Sequence, residues 1–377
     1  MRTQYGTALL ALIFVALCAP APAADLVKGK IVDDVACAAD SSQHYALFLP
    51  SSYVPEKKWP VILLFDAGGR GRRGVERYQA AAEKYGYILA GSNNSRNGPM
   101  NVSSAAAEAM LKEFTEQYSI NPTRIYSGGM SGGARVAMWL ALTHDKIAGV
   151  FASSAGFPNG FFSTVGFPLF GSAGTDDFNF QEMRRLDLDL RSPHRIQYFD
   201  GGHTWLPETV ATEGIEWMEL QAMHSGARER DTKLIDAAYS RRSAALSSAA
   251  NDFEKMRELK AIAADFDALK DVSSLKAQAS DLAKQPSVKN APLAIRMERE
   301  QEMSMEAELT QLRDQMLGNP SGFERFKPRF LALTEDSQAS ADSLNRRMAR
   351  RVLAGFKLSS RGFPNPQFQQ LLDIKQP

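Results

Sequence analysis

Cysteine and histidine are scarce in this sequence, and its charges balance. Two cysteines and five histidines occur in 377 residues, with no cluster of them at metal-ligand spacing, so we expect no metal and no cofactor. Lys and Arg number 44 against 43 Asp and Glu, which gives a formal net charge of +1. A chain so close to neutrality has no overall field that attracts phosphate backbones. We therefore expect no nucleic-acid partner.

The apolar run near the N-terminus, residues 8–17, is too short to span a membrane, which takes about 20 residues. Arg2 precedes this run, and the small-residue segment Ala21-Pro22-Ala23 follows it. Positive charge, apolar run and small residues in this order are typical of a secretory signal peptide. We predict that residues 1–23 are removed and that the mature protein is secreted or periplasmic, without stable membrane insertion.

The positions of the cysteines limit what each of them can do. Cys18 would fit a lipoprotein signal only if a small residue preceded it, and Leu17 stands there instead, so we do not expect a lipoprotein. Removal of the signal peptide leaves Cys37 as the only cysteine. The mature chain therefore cannot form an internal disulfide, and its fold must depend on its hydrophobic core.

Residues 28–223 alternate short β-type runs with helical patterns, which is typical of a mostly parallel sheet with helices on both faces. The run 61–65 is apolar throughout, as expected for a strand buried on both faces. We place an α/β domain at residues 24–225. Its predicted strands are residues 30–35, 45–49, 61–65, 87–90, 124–126, 147–151, 168–170 and 195–199, and its clearest helices are residues 105–118 and 135–143.

After about residue 225 the β-branched runs disappear, and Ala, Leu, Glu, Lys, Arg, Gln and Met dominate to the C-terminus. This composition predicts a second, all-helical region at residues 226–377. Helix pairs of this size fit degenerate helical repeats, but no pattern of about 34 residues recurs. A plain helical bundle is therefore an equally good interpretation. We expect this region to offer a surface for a protein partner. The predicted helices are residues 233–249, 252–268, 273–284, 293–317, 322–334 and 337–355.

The segment Gly129-Met130-Ser131-Gly132-Gly133 matches the nucleophile-elbow motif Gly-x-Ser-x-Gly. In this motif the Ser sits on a sharp strand-to-helix turn, packed so closely that the flanking positions have no room for side chains. The predicted strand 124–126 precedes the motif and the predicted helix 135–143 follows it. This context predicts that Ser131 is a catalytic nucleophile.

A serine nucleophile needs a histidine base within hydrogen-bond reach, and an acid that orients the base. In chain order the acid and then the His follow the Ser, which leaves His194, His203 and His224 as candidates. His203 lies in a Gly-rich segment after strand 195–199, at the carboxyl end of a strand, where α/β sites are built. His194 precedes that strand, and His224 ends the last helical pattern. We predict His203 as the base.

Two adjacent carboxylates compete for the role of the acid. Strand 168–170 leads into a polar segment that holds Asp176 and Asp177. We prefer Asp177, because a turn at Gly174 would bring it toward His203, and we keep Asp176 as the alternative. The Asp that does not serve as the acid would be an N-cap of the helix that follows.

Acyl transfer also needs two backbone N–H groups aimed at the developing oxyanion. Gly132, the residue after the nucleophile, is expected to supply one of them. The other is expected at Ala67 or Gly68, in the loop after strand 61–65, where glycines let the backbone approach a substrate.

Residues 45–217 follow a pattern known from other sequences, carried by residues 45–50, 66–69, 129–133 and 201–205. With these segments the chain resembles α/β-hydrolase-fold esterases of the group that includes polyhydroxybutyrate depolymerase-like and feruloyl or acetylxylan esterase-like enzymes. The resemblance covers about half of the chain and implies ester hydrolysis through an acyl-enzyme, with Ser131, Asp177 and His203 as the triad. One position departs from the pattern, since Asp66 stands where many relatives have His.

No long insertion separates the strands between Ser131 and His203, which leaves little room for a lid and favours an open site for a small-molecule or polymer-linked ester. We expect Met130 and Trp205 to contact the substrate. The leading hypothesis is an exported carboxylic-ester hydrolase. Two alternatives remain, a serine peptidase of the same fold and a non-catalytic binding protein on a hydrolase fold. Activity on ester and on peptide substrates distinguishes an esterase from a peptidase. Labelling by a serine-directed phosphonate distinguishes an enzyme from a binding protein, which should not be labelled.

Overall fold

An eight-stranded sheet organises the N-terminal half of the computed structural model, which describes residues 27–317, 319 and 321–373. Its strands are β1 (Ile31–Ala36), β2 (His44–Phe48), β3 (Trp59–Asp66), β4 (Ile88–Ser92), β5 (Ile120–Met130), β6 (Ile147–Ser153), β7 (Leu169–Gly174) and β8 (His194–Phe199). They lie in the order β1-β2-β4-β3-β5-β6-β7-β8. Strand β2 is antiparallel to its neighbours β1 and β4, whereas the other neighbouring pairs are parallel. The predicted signal peptide lies outside the described residues.

Helices cover both faces of this sheet, because successive residues of a strand point to opposite faces. These helices are α1 (Gly71–Tyr85), α2 (Met100–Gln117), α3 (Gly132–Thr143), α4 (Phe180–Asp189) and α5 (Glu208–His224). On β3, Ile62 and Leu64 lie in one core with residues of α1 and α5. Leu63 and Phe65 lie in the other core, with residues of α2, α3 and α4. The strand order and the two helical layers are those of the α/β-hydrolase fold, which confirms the predicted fold class.

The sequence prediction of this half is correct in outline and misses one helix. Each predicted strand overlaps an observed one, although β5 begins earlier than predicted, at Ile120. Helix α1 is missing from the prediction, because Arg72 and Arg73 make its first turn look like a solvated charged segment. The opposite side of α1 is apolar, and its Val75 and Tyr78 are buried against the sheet.

Further helices follow the sheet in the described part of the chain and form a helical C-terminal region. They are α6 (Thr232–Ala245), α7 (Asp252–Asp265), α8 (Ser273–Leu282), α9 (Pro286–Asp314), α10 (Gly322–Ser337), α11 (Leu344–Ser359) and α12 (Pro366–Leu372), with a 3₁₀ turn at Leu246–Ser248. Residues of α6, α7 and α8 share a core with the end of α5, around Leu259 and Phe266. Residues of α9 to α12 form a separate core around Phe326, Phe330 and Phe356. The predicted domain boundary after residue 225 lies just beyond the end of α5. Residues of α5 nevertheless belong both to a core of the sheet and to the core of α6, α7 and α8.

Two helices in this region begin far from their predicted starts, and one described helix was not predicted. Helix α9 begins at Pro286 rather than at residue 293, because the first turn tolerates a residue without an N–H. Helix α11 begins at Leu344 rather than at residue 337, because the side chain of Ser343 caps it by accepting the N–H of Arg346. Helix α12 is not in the prediction. In the described part of the chain, no helix combines the length and the apolar character that crossing a membrane requires.

Candidate active site

Ser131 lies where β5 ends and α3 begins, as the elbow motif predicts. Its backbone angles are φ 57° and ψ −122°, in a region that non-glycine residues rarely adopt. The N–H of Ser131 donates to the carbonyl of Ser153 on β6 at 2.8 Å, and its carbonyl accepts the N–H of Ala134 at 3.0 Å. These two bonds fix a conformation that costs about 1–3 kcal/mol by itself.

The glycines around Ser131 allow the close packing that forces this turn. A Cβ added at Gly133 would lie 1.9 Å from the carbonyl oxygen of Phe65 on β3. A Cβ added at Gly129 would lie 2.3 Å from the backbone of Gly133. Real side chains never approach so closely, so the start of α3 can meet β3 and β5 only if these positions are glycine. The motif is therefore a packing requirement at this point of the fold.

Three predicted site residues form one hydrogen-bonded chain. Nε2 of His203 lies 2.9 Å from Oγ of Ser131, and its Nδ1 lies 2.8 Å from Oδ1 of Asp177. His203 follows β8 and Asp177 follows β7, so both loops leave the carboxyl edge of the sheet at which β5 delivers Ser131. Asp177 is fully buried, and His203 keeps 20% of its side chain exposed. A hydroxyl, an imidazole and a carboxylate in this order can transfer the hydroxyl proton to the imidazole.

Of the two candidate acids, Asp177 faces His203 and Asp176 faces away from it. Oδ1 of Asp177 also accepts the N–H of Asn179 at 2.8 Å, which fixes the direction of the carboxylate. Oδ2 of Asp176 accepts a hydrogen bond from Arg350 of α11 at 2.9 Å. Neither Asp is the N-cap of α4, as the sequence suggested for one of them, because Asn179 occupies that position.

The ring of Phe178 stacks on the imidazole of His203, with ring centroids 4.0 Å apart and an interplanar angle of 29°. This contact restricts how far the imidazole can tilt away from Ser131 and Asp177. Phe178 belongs to no motif in the sequence, although its place directly after the candidate acids was a usable signal.

The two other candidate histidines, His194 and His224, are bound elsewhere. The ring nitrogens of His194 lie within hydrogen-bond distance of the carbonyls of Ser192 and Asp187. Nε2 of His224 lies 2.7 Å from the carbonyl of Asp265. Among residues 27–317, 319 and 321–373, no group of three or more His, Cys, Asp or Glu side chains is arranged to hold a metal ion.

Asp66, at the end of β3, organises the loop next to the elbow. It is buried, and it accepts hydrogen bonds from the N–H of Gly68 at 2.8 Å, from Nε of Arg70 at 2.7 Å and from Nε1 of Trp205 at 2.8 Å. Burial by itself would raise the pKa of Asp66, but the hydrogen bonds from Arg70, Trp205 and Gly68 outweigh it and lower the pKa below its ordinary value. Asp66 therefore connects the loop after β3 to the loop that carries His203.

Both predicted substrate contacts lie in the core instead. Trp205 is 6% exposed, donates its N–H to Asp66 and belongs to the core between the sheet and helices α1 and α5. Met130 is 6% exposed and belongs to the same core. The sequence expectation that these side chains contact substrate is therefore corrected, because the pleat of β5 and the indole bond to Asp66 direct them inward.

The two alternatives for the second oxyanion donor are also distinguishable. The N–H of Gly68 is already donated to Asp66. Gly132 is the first residue of α3, so its N–H has no partner within the helix. The carbonyl of Ala67 accepts the N–H of Asn97 at 2.8 Å, and Oδ1 of Asn97 lies 1.8 Å from where a Cβ on Gly132 would be. Ala67, Gly132 and the amide of Asn97 therefore lie together beside Ser131.

Comparison with known proteins finds only solved structures that resemble about half of this chain. No protein-family model matches the sequence, and no curated protein matches it. A feruloyl esterase module from Clostridium thermocellum complexed with sinapinate is 14% identical, with 47% of this chain and 82% of that chain covered and a TM-score of 0.39. Est1E from Butyrivibrio proteoclasticus is 12% identical, with 48% and 95% covered and a TM-score of 0.40. Esterase 2 of Thermogutta terrifontis, phosphonylated by sarin, is 13% identical, with 56% and 98% covered and a TM-score of 0.41. Such low likeness leaves the function to be argued from the site itself.

The elbow packing predicts the effect of adding one methyl group. Gly133→Ala should lower the free energy of unfolding by about 3 kcal/mol, because its Cβ would overlap the carbonyl of Phe65. Gly166→Ala is the matched control, since a Cβ there meets nothing within 4 Å, and it should change stability by less than about 0.5 kcal/mol. Urea unfolding followed by circular dichroism measures both. Equal stability of the two variants would contradict the packing account.

The lowered pKa of Asp66 predicts how stability depends on pH. Because the folded state favours the ionised carboxylate, Asp66 stabilises the fold above its unfolded pKa, near the ordinary value of 3.8, and this contribution is lost as the pH falls through the folded pKa. Wild type should therefore be more stable than Asp66→Asn at neutral pH, and the difference should shrink below about pH 4. Urea unfolding across pH 3–7 measures the difference, with the exposed Asp145→Asn as control. A difference that does not change with pH would refute the role given to the charge of Asp66.

Proposed function

We propose that this protein is a serine hydrolase that cleaves carboxylic esters through an acyl-enzyme on Ser131. The observation that carries the proposal is the chain of hydrogen bonds from Ser131 Oγ through His203 to Asp177, at 2.9 Å and 2.8 Å. The proposal does not depend on the Gly-x-Ser-x-Gly motif alone. The three side chains follow three different strands, and the fold brings them together at one edge of the sheet. Without the assignment of the mechanism, the proposal is a hydrolase of the esterase type.

In the proposed reaction, His203 acts first as a base and then as an acid. Nδ1–H of His203 donates to Asp177, which leaves Nε2 free to accept the proton of the Ser131 hydroxyl as Oγ attacks the ester carbonyl carbon. The imidazolium then gives this proton to the departing alkoxide, and an acyl-serine remains. A water molecule, deprotonated by the same Nε2, then attacks the acyl carbon. The bond between this carbon and Oγ breaks, the imidazolium returns its proton to Oγ, and the carboxylic acid leaves. Asp177 keeps its charge throughout and stabilises the imidazolium.

The developing oxyanion needs donors that are in place before the reaction starts. We assign the N–H groups of Gly132 and Ala67 to this role, since Gly132 begins α3, where N–H groups have no partner within the helix, and the alternative donor Gly68 is already bound to Asp66. The side chain of Asn97 lies beside Gly132 and supplies an amide that can contact the substrate. Asp66 supports this arrangement indirectly, because it fixes Gly68 and therefore the path of the loop that carries Ala67.

The substrate we propose is a small-molecule or polymer-linked ester with an apolar or aromatic part. The loop between β6 and β7 leaves the same carboxyl edge of the sheet as Ser131, and its Phe161 and Phe162 are each 37% exposed. Exposed aromatic rings near a site favour apolar partners. Residues 1–23, which have the pattern of a signal peptide, support a secreted or periplasmic location for the mature protein.

Removing the nucleophile tests the proposal. Wild-type protein should react with a fluorophosphonate probe and hydrolyse short acyl esters, whereas Ser131→Ala should lose the labelling entirely and at least about 1000-fold of kcat. Ser104→Ala, which removes an exposed hydroxyl on α2, should behave like wild type. Gel fluorescence and p-nitrophenyl ester turnover measure the two effects.

Other outcomes identify the alternatives. Folded wild-type protein that neither reacts with the probe nor turns over any ester would refute the enzyme proposal and favour a binding protein. Cleavage of peptide substrates without ester turnover would indicate a peptidase.

The two adjacent carboxylates should differ sharply when each is neutralised. Asp177→Asn should lower kcat by about 10⁴-fold, because the amide can stabilise the wrong tautomer of His203 and cannot stabilise the imidazolium. Asp176→Asn should lower kcat by no more than about 10-fold, since Asp176 faces α11. Steady-state kinetics on one ester measures both variants. Equal losses, or a larger loss in Asp176→Asn, would contradict the assignment of the acid.

A further inference from the structure

Helix α11 contacts the loop that carries the proposed acid, which we call the acid loop (residues 174–179). Arg350 donates to Oδ2 of Asp176 at 2.9 Å, and Arg351 donates to the carbonyl of Thr175 at 3.0 Å. Arg347 adds a hydrogen bond to the hydroxyl of Thr175. The residues that flank the acid on its N-terminal side are thus held by a helix from the C-terminal region.

The same helix also supports the ring that stacks on the proposed base. A Cβ added at Gly355 would lie 3.2 Å from Cβ of Phe178, so α11 lies directly against this residue. The other side of Phe178 contacts the imidazole of His203, with ring centroids 4.0 Å apart. A continuous line of contacts therefore runs from α11 through Phe178 to His203.

Helix α11 is itself fixed against α9, so it can act as a rigid support. The guanidinium of Arg351 is 2% exposed and donates to both carboxylate oxygens of Glu302, at 2.9 Å and 2.6 Å. Such a bidentate pair fixes orientation as well as distance. Val352 and Phe356 anchor the next turn in the apolar core of α9 to α12.

The charges at this junction explain why Asp176 needs Arg350. The side chain of Asp176 is 13% exposed, and a carboxylate at this depth is costly unless a cation or hydrogen-bond donors compensate it. Asp176 lies one residue from the negative charge of Asp177, which adds repulsion. Other charged groups lie close to the acid loop. Arg347 lies 3.8 Å from Oδ1 of Asp176 and 3.4 Å from Asp200, and Arg351 pairs with Glu298 and Glu302 of α9.

We propose that α11 completes the proposed active site, with Arg350 as a positioning residue that holds the acid loop through Asp176 and so keeps Asp177 and Phe178 on His203. The expected effect on catalysis rests on the proposed function. The expected effect on the acid loop rests only on the contacts of α11. It gives the C-terminal helical region a role within this chain: the sheet supplies the reacting groups, and α11 fixes the loop that orients them.

The test replaces Arg350 and compares it with an arginine one turn earlier on the same helix. Arg350→Met should raise the rate of hydrogen exchange at the N–H groups of Asp176 and Asn179, which donate to Gly201 and Asp177 in the wild type, by about 10-fold. It should lower kcat for an ester by about 10-fold with KM nearly unchanged, because displacing the acid affects the transition state rather than binding. Arg350→Lys should recover part of both effects, since it restores the cation near Asp176.

Arg346→Met is the matched control, because Arg346 donates to Asp342 rather than to the acid loop, and Asp342 keeps its second donor, Arg347, in this variant. It should leave exchange in the acid loop unchanged and kcat within about twofold of wild type. Arg350 also donates to the carbonyl of Ser337 at 2.8 Å, a bond that is lost in Arg350→Met and kept in Asp176→Asn. The double variant Arg350→Met with Asp176→Asn should therefore lose no more kcat than Arg350→Met alone, since the bond between Arg350 and Asp176 is removed by either change. Melting temperatures of all variants exclude general unfolding as the cause.

The outcomes separate this inference from the proposed function. Exchange in the acid loop that is the same in Arg350→Met and Arg346→Met would overturn the inference, whether or not the protein hydrolyses esters. Faster exchange in an active protein with unchanged kcat would overturn the positioning role. Wild-type protein without any ester turnover would refute the proposed function, and the exchange rates would still decide whether α11 holds the loop.

Discussion

The close approach of α3 to β3 and β5 is the constraint on which the site depends. Gly133 meets the carbonyl of Phe65, and Gly129 meets the backbone of Gly133, at distances that exclude any side chain. Within this space Ser131 has a positive φ of 57°, and its hydroxyl lies beyond the end of β5, within reach of His203. The bonds to Ser153 and Ala134 then offset the cost of that conformation. The position of the proposed nucleophile thus follows from packing inside the sheet.

The rest of the site comes to Ser131 from the loops after β7 and β8, and these loops are fixed by contacts outside the sheet. Asp66 ties the loop of His203 to the end of β3 through the indole of Trp205. Asn179 holds the carboxylate of Asp177, and α11 holds the neighbouring Asp176. The helical region therefore matters to the proposed chemistry even though it contributes none of the reacting atoms.

Local sequence predicts the parts of the site that depend on local structure. The strand, the glycines and Ser131 form one continuous segment, and chain order together with the strand end after β8 is enough to choose His203. The local turn at Gly174 was enough to prefer Asp177, but the sequence does not indicate what binds Asp176, because its partner Arg350 lies 174 positions away. Trp205 was misread, since its partner Asp66 lies 139 positions away. Pairings at such distances leave no periodic or motif signal in a single sequence, so only the fold reveals them.

The central claim, that an acyl group passes through Ser131, is tested most directly by trapping the intermediate. The protein is mixed with an activated short-chain ester, quenched with acid at successive times, and analysed as intact protein and as peptides by mass spectrometry. The account predicts an adduct of the acyl mass on the peptide that contains Ser131, which forms before steady state and decays at the rate of turnover. Turnover without any adduct, or an adduct on a different residue, would contradict it.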